Sequence, residues 1–348
     1  MVCNVEIQKF HKKKDVYFPL IDIIKLFCAF LVVIIHSGGI VSNNSLNDFI
    51  IKCFTGQAVP FFMIVSGYFS VYKLSQLDNK NLIKVCFKNW IYLYIVWSVI
   101  WFPYYIITYR MLYPRQTFGY IFILIIRRYI FAGHGVYWYL LALAESVFLS
   151  AILVRKNHEK TLLGIAILGL LWGFVYDANV IFPGITVINK LIYVVFSWSN
   201  NFIMKGIPYV AIGYFTKKYA LQYKVGIKKS VSIYVFSSII MMILYMVGKY
   251  NLLILYPLQA FSLFLIALYK PHKHIETRVT KTCRNLSSSI YFLHTLFIYI
   301  VFNLILHSNI PMFLSDYSLV IAPVVAELCT TSVALSAPPN SYQNNSQS

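Results

Sequence analysis

Phe18–Gly39 reads FPLIDIIKLFCAFLVVIIHSGG. It is long and apolar enough to cross a bilayer as one helix, yet it carries Asp22, Lys25 and His36. Ionisable side chains inside a membrane helix are costly and point to function by default. On a helix with Asp22 set at zero, Lys25 falls at about −60°, Ala29 at about −20° and His36 at about −40°. All three ionisable groups therefore share one narrow face, which can turn inward while the other faces meet lipid. Lys25 and His36 are three turns apart, roughly 16 Å along the axis, so they are separate sites at different depths. A plainer reading of the same residues is an Asp22–Lys25 pair at the inner membrane edge and a merely hydrogen-bonded histidine.

The rest of the chain is of the same kind. Its 348 residues are 59% hydrophobic and only 12% charged, with a mean hydropathy of +0.69; a soluble domain is nearer a quarter charged. A net charge of +19 invites a nucleic-acid reading. That reading fails, because the basic residues sit in short clusters between apolar spans, as topology signals do. Cys3, Cys28, Cys53, Cys86, Cys283 and Cys329 are scattered with no metal-ligand spacing, so free thiols and no metal site are expected. The apolar run after residue 17 exceeds a signal-peptide core and lacks a small-residue cleavage site, so it is expected to stay in the mature protein.

At ~20 residues per span, ten helices are predicted, near 18–38, 49–72, 88–109, 136–154, 161–176, 202–216, 230–248, 251–269, 286–306 and 312–335. The fold class is all-α, a polytopic membrane helix bundle. With the N-terminus inside, the cytoplasmic segments hold Lys9 to Lys14, Lys73 to Lys88, Arg155 to Lys160, Lys217 to Lys229 and Lys270 to Arg284. The outer loops keep only Arg110, Arg115, Arg127, Arg128, Lys190 and Lys249. This asymmetry predicts both termini inside. Residues 118–131, FGYIFILIIRRYIF, are too short to span and read as an interfacial or re-entrant helix. Residues 177–201 read as a second outer segment. The polar tail, 337–348, is expected to be cytoplasmic and disordered.

Beyond the first helix, four places carry chemical promise. The second span holds Gly56, Gln57, Pro60 and Ser66, which suit either a kinked pocket wall beside His36 or ordinary helix packing. The fourth opens at His134 with Trp138 and Tyr139, an interfacial belt or the lining of a substrate site. Glu145 lies two turns deeper, with Lys205 as its nominated partner. The ninth carries His294, a site residue or a satisfied structural histidine.

These residues carry a resemblance. The chain, over about 1–336, resembles the membrane-bound acyltransferase-3 family, whose hallmark is Arg or Lys, ten residues, then His in the first helix; Lys25 to His36 has that spacing. AVPFFMIVSGYF at 58–69, VYWYLLAL at 136–143 and SIYFLH at 289–294 are similar to the family's later signatures, in order. The resemblance implies transfer of an acyl group, commonly acetyl, from cytosolic acyl-CoA to a hydroxyl of an extracytoplasmic or lipid-linked glycan. Acyl-CoA would be a co-substrate, with no bound cofactor. It implies essential roles for His36 and Lys25, with Asp22 setting the charge and rotamer of Lys25. Trp138, Tyr139, Glu145, His294 and Ser66 would line the substrate site. Many glycan-acetylating members carry an Arg-x-x-Arg pair at the start of the third helix; this chain has Lys84 and Lys88 there, the positions expected to meet the donor together with Lys25. The resemblance places the chain in a bacterial cytoplasmic membrane. Two other classes fit the composition: an exporter of a glycan intermediate, and a non-catalytic relative that binds a small ligand.

Overall fold

A computed structural model of the protein describes residues 16–37, 43–131, 133, 135–177, 200–248, 255–269, 272–273 and 277–300. The apolar runs within these residues are helical. In chain order the helices are α1 (Pro19–Ser37), α2 (Asn44–Ile50), α3 (Ala58–Ser75), α4 (Asn79–Cys86), α5 (Tyr92–Leu112), α6 (Phe118–Phe131), α7 (Trp138–Arg155), α8 (Glu159–Asp177), α9 (Ile207–Lys218), α10 (Leu221–Met246), α11 (Leu255–Ala267) and α12 (Arg278–Ile300). Short π-helical turns, Ile51–Thr55, Phe87–Ile91 and Phe202–Gly206, lead into or join them. Two two-residue strands, β1 (Val16–Tyr17) and β2 (His272–Lys273), pair antiparallel.

Among the described residues, five stretches are long and apolar enough to cross a membrane: Pro19–Ser37, Ser45–Ser75, Asn79–Leu112, Phe118–Arg155 and Tyr223–Met246. Val99 and Phe236 remain 67% and 64% exposed on two of them, and apolar surface of that kind suits lipid rather than water. The protein is an all-helical, multi-pass membrane protein. The predicted span 312–335, residues 178–199 of the segment read over 177–201, His134 and the tail 337–348 lie outside the described residues.

The chain divides into two compact units, one of residues 1–58 and 270–348, the other of residues 59–269. In the first, α1 packs along α12 and against the π-turn Ile51–Thr55. The inward face predicted for α1 is present: Asp22, Ala29 and Val33 are buried, while Ile23 and Phe27 on the opposite side are exposed. The Asn43 side chain caps α2 by accepting from the Leu46 N–H at 2.9 Å, which satisfies one of the donors a helix start leaves free.

In the second unit, glycine allows the close helix crossings that membrane helices use in place of a hydrophobic driving force. A Cβ on Gly67 of α3 would lie 2.1 Å from the Val210 carbonyl oxygen of α9, and one on Gly213 of α9 would lie 2.0 Å from that of Ile64. Phe61 and Tyr68 of α3 meet Phe264 of α11 edge to face, at 6.3 and 5.4 Å between ring centres. Arg155, counted above as a topology signal, also ties the α3–α4 turn, donating to the Leu77 carbonyl at 2.6 Å and to the Asn79 side chain. Glu159 at the start of α8 takes Lys218 and the Tyr214 hydroxyl of α9.

Three expectations change. The helix predicted from 88 begins at Asn79, nine residues earlier, because Asn79–Cys86 is amphipathic, with Leu82 and Cys86 buried, and joins α5 through a π-turn. The span predicted from 286 begins at Arg278, so Lys281 and Arg284 lie in the first two turns of α12 rather than in a loop. The second span is not one continuous α-helix: it passes through the π-turn Ile51–Thr55 and a turn at Gly56–Gln57, and Pro60 falls in the first turn of α3, where its missing N–H costs little. The separate short helix expected at 118–131 is α6, with the expected bounds. It packs on α5 through Phe102–Phe122 and Tyr105–Tyr129 contacts.

Candidate active site

The first unit gathers four of the nominated residues, Asp22, Lys25 and His36 on α1 and His294 on α12, and adds Arg284 of α12 to them. At the start of α1, the Asp22 carboxylate is 4% exposed. Arg284 of α12 donates to it through Nε at 3.1 Å and through Nη2 at 2.8 Å, the forked geometry that a guanidinium offers a carboxylate. The Tyr17 hydroxyl adds a third bond at 2.7 Å, and the guanidinium lies 5.7 Å from the centre of the Tyr17 ring. Burial, aided by the Asp22 charge, raises the Tyr17 phenol above its ordinary range. The β1–β2 pairing, Tyr17 opposite His272, brings the segments that lead into α1 and α12 together beside this knot.

Asp22 therefore pairs with Arg284, and the Asp22–Lys25 pair of the plainer reading is not formed. Lys25 lies one turn on, close enough to feel the charges of both Asp22 and Arg284, but no hydrogen bond or ion pair reaches its ammonium among the described residues. The physical reason is competition: the forked guanidinium and the Tyr17 hydroxyl together occupy the carboxylate. Lys25 is held beside a satisfied pair, with its donors open.

Toward the other end of α1, the ring centre of His36 lies 5.3 Å from that of His294, with the planes 36° apart. Two contacts in the same order along both helices, Asp22 with Arg284 and His36 with His294, mean that α1 and α12 run parallel. From Asp22 to His36 is ~21 Å of helix rise, and from Arg284 to His294 ~15 Å; the long arginine side chain makes up part of the difference.

His294 is fully buried. Its Nδ1 lies 2.7 Å from the Tyr291 carbonyl oxygen and 3.1 Å from that of Ile290. A carbonyl can only accept, so Nδ1 must carry the hydrogen and donate it. In a neutral ring that leaves Nε2 as the nitrogen with a free lone pair. Nε2 is buried and has no hydrogen-bond partner among the described residues, a state that costs about 1–3 kcal/mol. Reading the sequence had singled out His294 without showing that it faces His36.

The remaining nominated residues belong to the second unit. There the Phe62 ring lies 6.2 Å from that of Tyr139, and the Ser66 hydroxyl donates to the Phe62 carbonyl at 2.9 Å. Trp138 opens α7 and is partly exposed, its backbone held against Gly133, whose φ of +70° forms the tight approach to the helix. Glu145 forms no ion pair among the described residues. Its nominated partner Lys205 donates instead to Asn200 at 2.6 Å, a nearer group across the π-turn that opens α9. Lys84 and Lys88 lie exposed on α4 and the π-turn that follows it. Cys28, Cys53, Cys86 and Cys283 are free thiols.

A multi-pass helical membrane protein with two adjacent histidines on packed helices, one of them sharing the inward face of α1 with an open lysine, is the class that these observations define. Within it, the family model described as an acyltransferase domain, Acyl_transf_3, matches residues 18–335, and the chain belongs to that acyltransferase family. The match begins at Phe18 and takes in both α1 and α12. No curated relative and no solved structure matches the chain.

Proposed function

We propose that the protein is a membrane O-acyltransferase that moves an acyl group, acetyl above all, from cytosolic acyl-CoA to a hydroxyl of an extracytoplasmic or lipid-linked glycan. The topology adopted is ten spans with both termini inside, from the distribution of Lys and Arg. On that topology Lys25 stands near the cytosolic end of α1, and His36 lies ~27 Å up the helix from Phe18, toward the outer side. Lys25 would meet the phosphate and carbonyl groups of the donor. His36 would act on the acceptor hydroxyl as general base or carry the acyl group. The hydroxyl oxygen forms the new bond to the acyl carbon, the carbon–sulfur bond breaks, and the hydroxyl proton ends on the departing thiol.

The observation that carries this reading is the His36–His294 pair, 5.3 Å apart between ring centres, inside the segment that the acyltransferase family model matches. Neither ring is needed to hold the other helix end, where Asp22 and Arg284 do that work. The pair is therefore available for proton or acyl transfer. The test is to express the His36→Ala variant in the native host and to measure ester groups on the purified surface glycan by NMR. Loss of ester at normal protein level is expected; undiminished ester would remove His36 from the mechanism.

A further inference from the structure

Resting on the acyl-transfer reading, we infer that His294 is a second catalytic residue, and that its Nε2 takes the proton from the reacting hydroxyl.

A histidine kept only for helix packing has no need of an unpartnered lone pair. The ring of His294 is spent on one side and open on the other. Its Nδ1–H is engaged by the Tyr291 and Ile290 carbonyls of its own helix, which sets both the tautomer and the ring orientation. Its Nε2 is buried and unpartnered among the described residues, and the ring it sits beside is that of His36. A base oriented by a hydrogen bond at its far nitrogen is the arrangement general-base catalysis calls for. The backbone carbonyls supply that orientation here, and they hold the Nδ1 hydrogen so that the neutral ring can only accept at Nε2.

His36 is not constrained in this way. At 5.3 Å between ring centres, one hydroxyl oxygen at an ordinary hydrogen-bond distance of ~2.8 Å can be shared by the two rings. The roles then separate. His294 accepts the hydroxyl proton at Nε2 as the oxygen–carbon bond forms. The carbon–sulfur bond breaks with its electron pair leaving on sulfur, and the proton on His294 is returned to that thiolate, directly or through His36. His36 is left free to steady the acyl carbonyl. No further reactant is needed, and both imidazoles end the cycle neutral.

The experiment uses full-length protein in detergent or nanodiscs, with acetyl-CoA as donor. His294→Asn keeps a side-chain N–H that can reach the Tyr291 carbonyl but lacks the basic nitrogen; His294→Gln is a second replacement. A roughly 100-fold or greater fall in kcat is expected in both, with KM for acetyl-CoA and thiol release on unfolding little changed. A folded variant that keeps wild-type kcat overturns the proposal. The second readout needs no variant: solid-state NMR of ¹⁵N-histidine protein with ¹³C-carbonyl tyrosine identifies His294 by the dipolar contact of its Nδ1 with Tyr291. Nδ1 protonated and Nε2 bare is expected; a proton on Nε2 in the neutral ring overturns it. If the wild-type protein transfers no acyl group to any hydroxyl, the function proposed above fails, and the NMR result still decides the tautomer.

Discussion

Arg284 grips Asp22 through both carboxylate oxygens from 262 positions away in the sequence, and the Tyr17 hydroxyl completes the shell. The pair fastens the start of α1 to α12. A buried carboxylate stripped of its cation is far worse than the intact pair is good. Arg284→Met is therefore expected to destabilise the protein by about 2–3 kcal/mol, below the usual range for a buried pair because Arg284 is 42% exposed. Asp22→Asn with Arg284→Met should recover a large part of that loss. Cys28, Cys53 and Cys86 are buried free thiols, so a thiol-reactive dye followed through a thermal ramp measures the cycle directly. Additive single and double variants would show that the two residues do not act as a pair.

Lys25 stands next to this pair without joining it. Its removal should therefore leave folding alone and act on the donor. Lys25→Met is expected to shift stability by no more than about 0.5 kcal/mol, while raising KM for acyl-CoA several-fold. Parallel measurement of thiol-dye melting and steady-state transfer checks both halves. A large drop in melting temperature would return Lys25 to a structural role.

The helix crossing of α3 and α9 makes a sharper demand. With the Val210 and Ile64 carbonyl oxygens 2.1 and 2.0 Å from where new Cβ atoms would sit, Gly67→Ala and Gly213→Ala must push two backbones apart. Overpacking of this kind costs about 1–3 kcal/mol. Gly164→Ala and Gly119→Ala are controls, because nothing lies within 4 Å of a Cβ at either position; near-neutral melting is expected for both. Equal melting across all four variants would mean that the α3–α9 contact is looser than the distances imply.

Part of this was legible beforehand. An acid, a base and a histidine on one face of an otherwise apolar span announce themselves by their cost, and α1 forms with that face buried. The acyltransferase family was legible too, from the Lys25 to His36 spacing and three later stretches. The partner of Asp22 was not. Arg284 was counted among the basic residues outside the span, since its charge argued for a loop and nothing local offered it a carboxylate. Only the packing of α1 on α12 supplies one, and that packing extends the helix back to Arg278. The His294 case is similar: its presence in a span could be read, but its facing of His36 depends on the register between two helices far apart in sequence. Glu145 and Lys205 failed in the opposite sense, as complementary charges that find other surroundings.

That failure leads to a last expectation. Glu145 sits mid-helix in α7, within a membrane-spanning stretch, and no cation pairs with it among the described residues. A carboxylate so placed adds nothing to stability that a neutral isostere would not also supply, because the desolvation it suffers is not offset by a partner. Glu145→Gln should therefore melt at or above the wild-type temperature, in contrast to Asp22→Asn, which breaks a pair and should melt below it. If the substrate-lining role assigned to Glu145 is right, the same variant transfers more slowly despite its intact fold. A loss of more than about 1 kcal/mol in Glu145→Gln would mean that the carboxylate has a structural partner after all, and Lys205→Met in the same background would show whether that partner is Lys205.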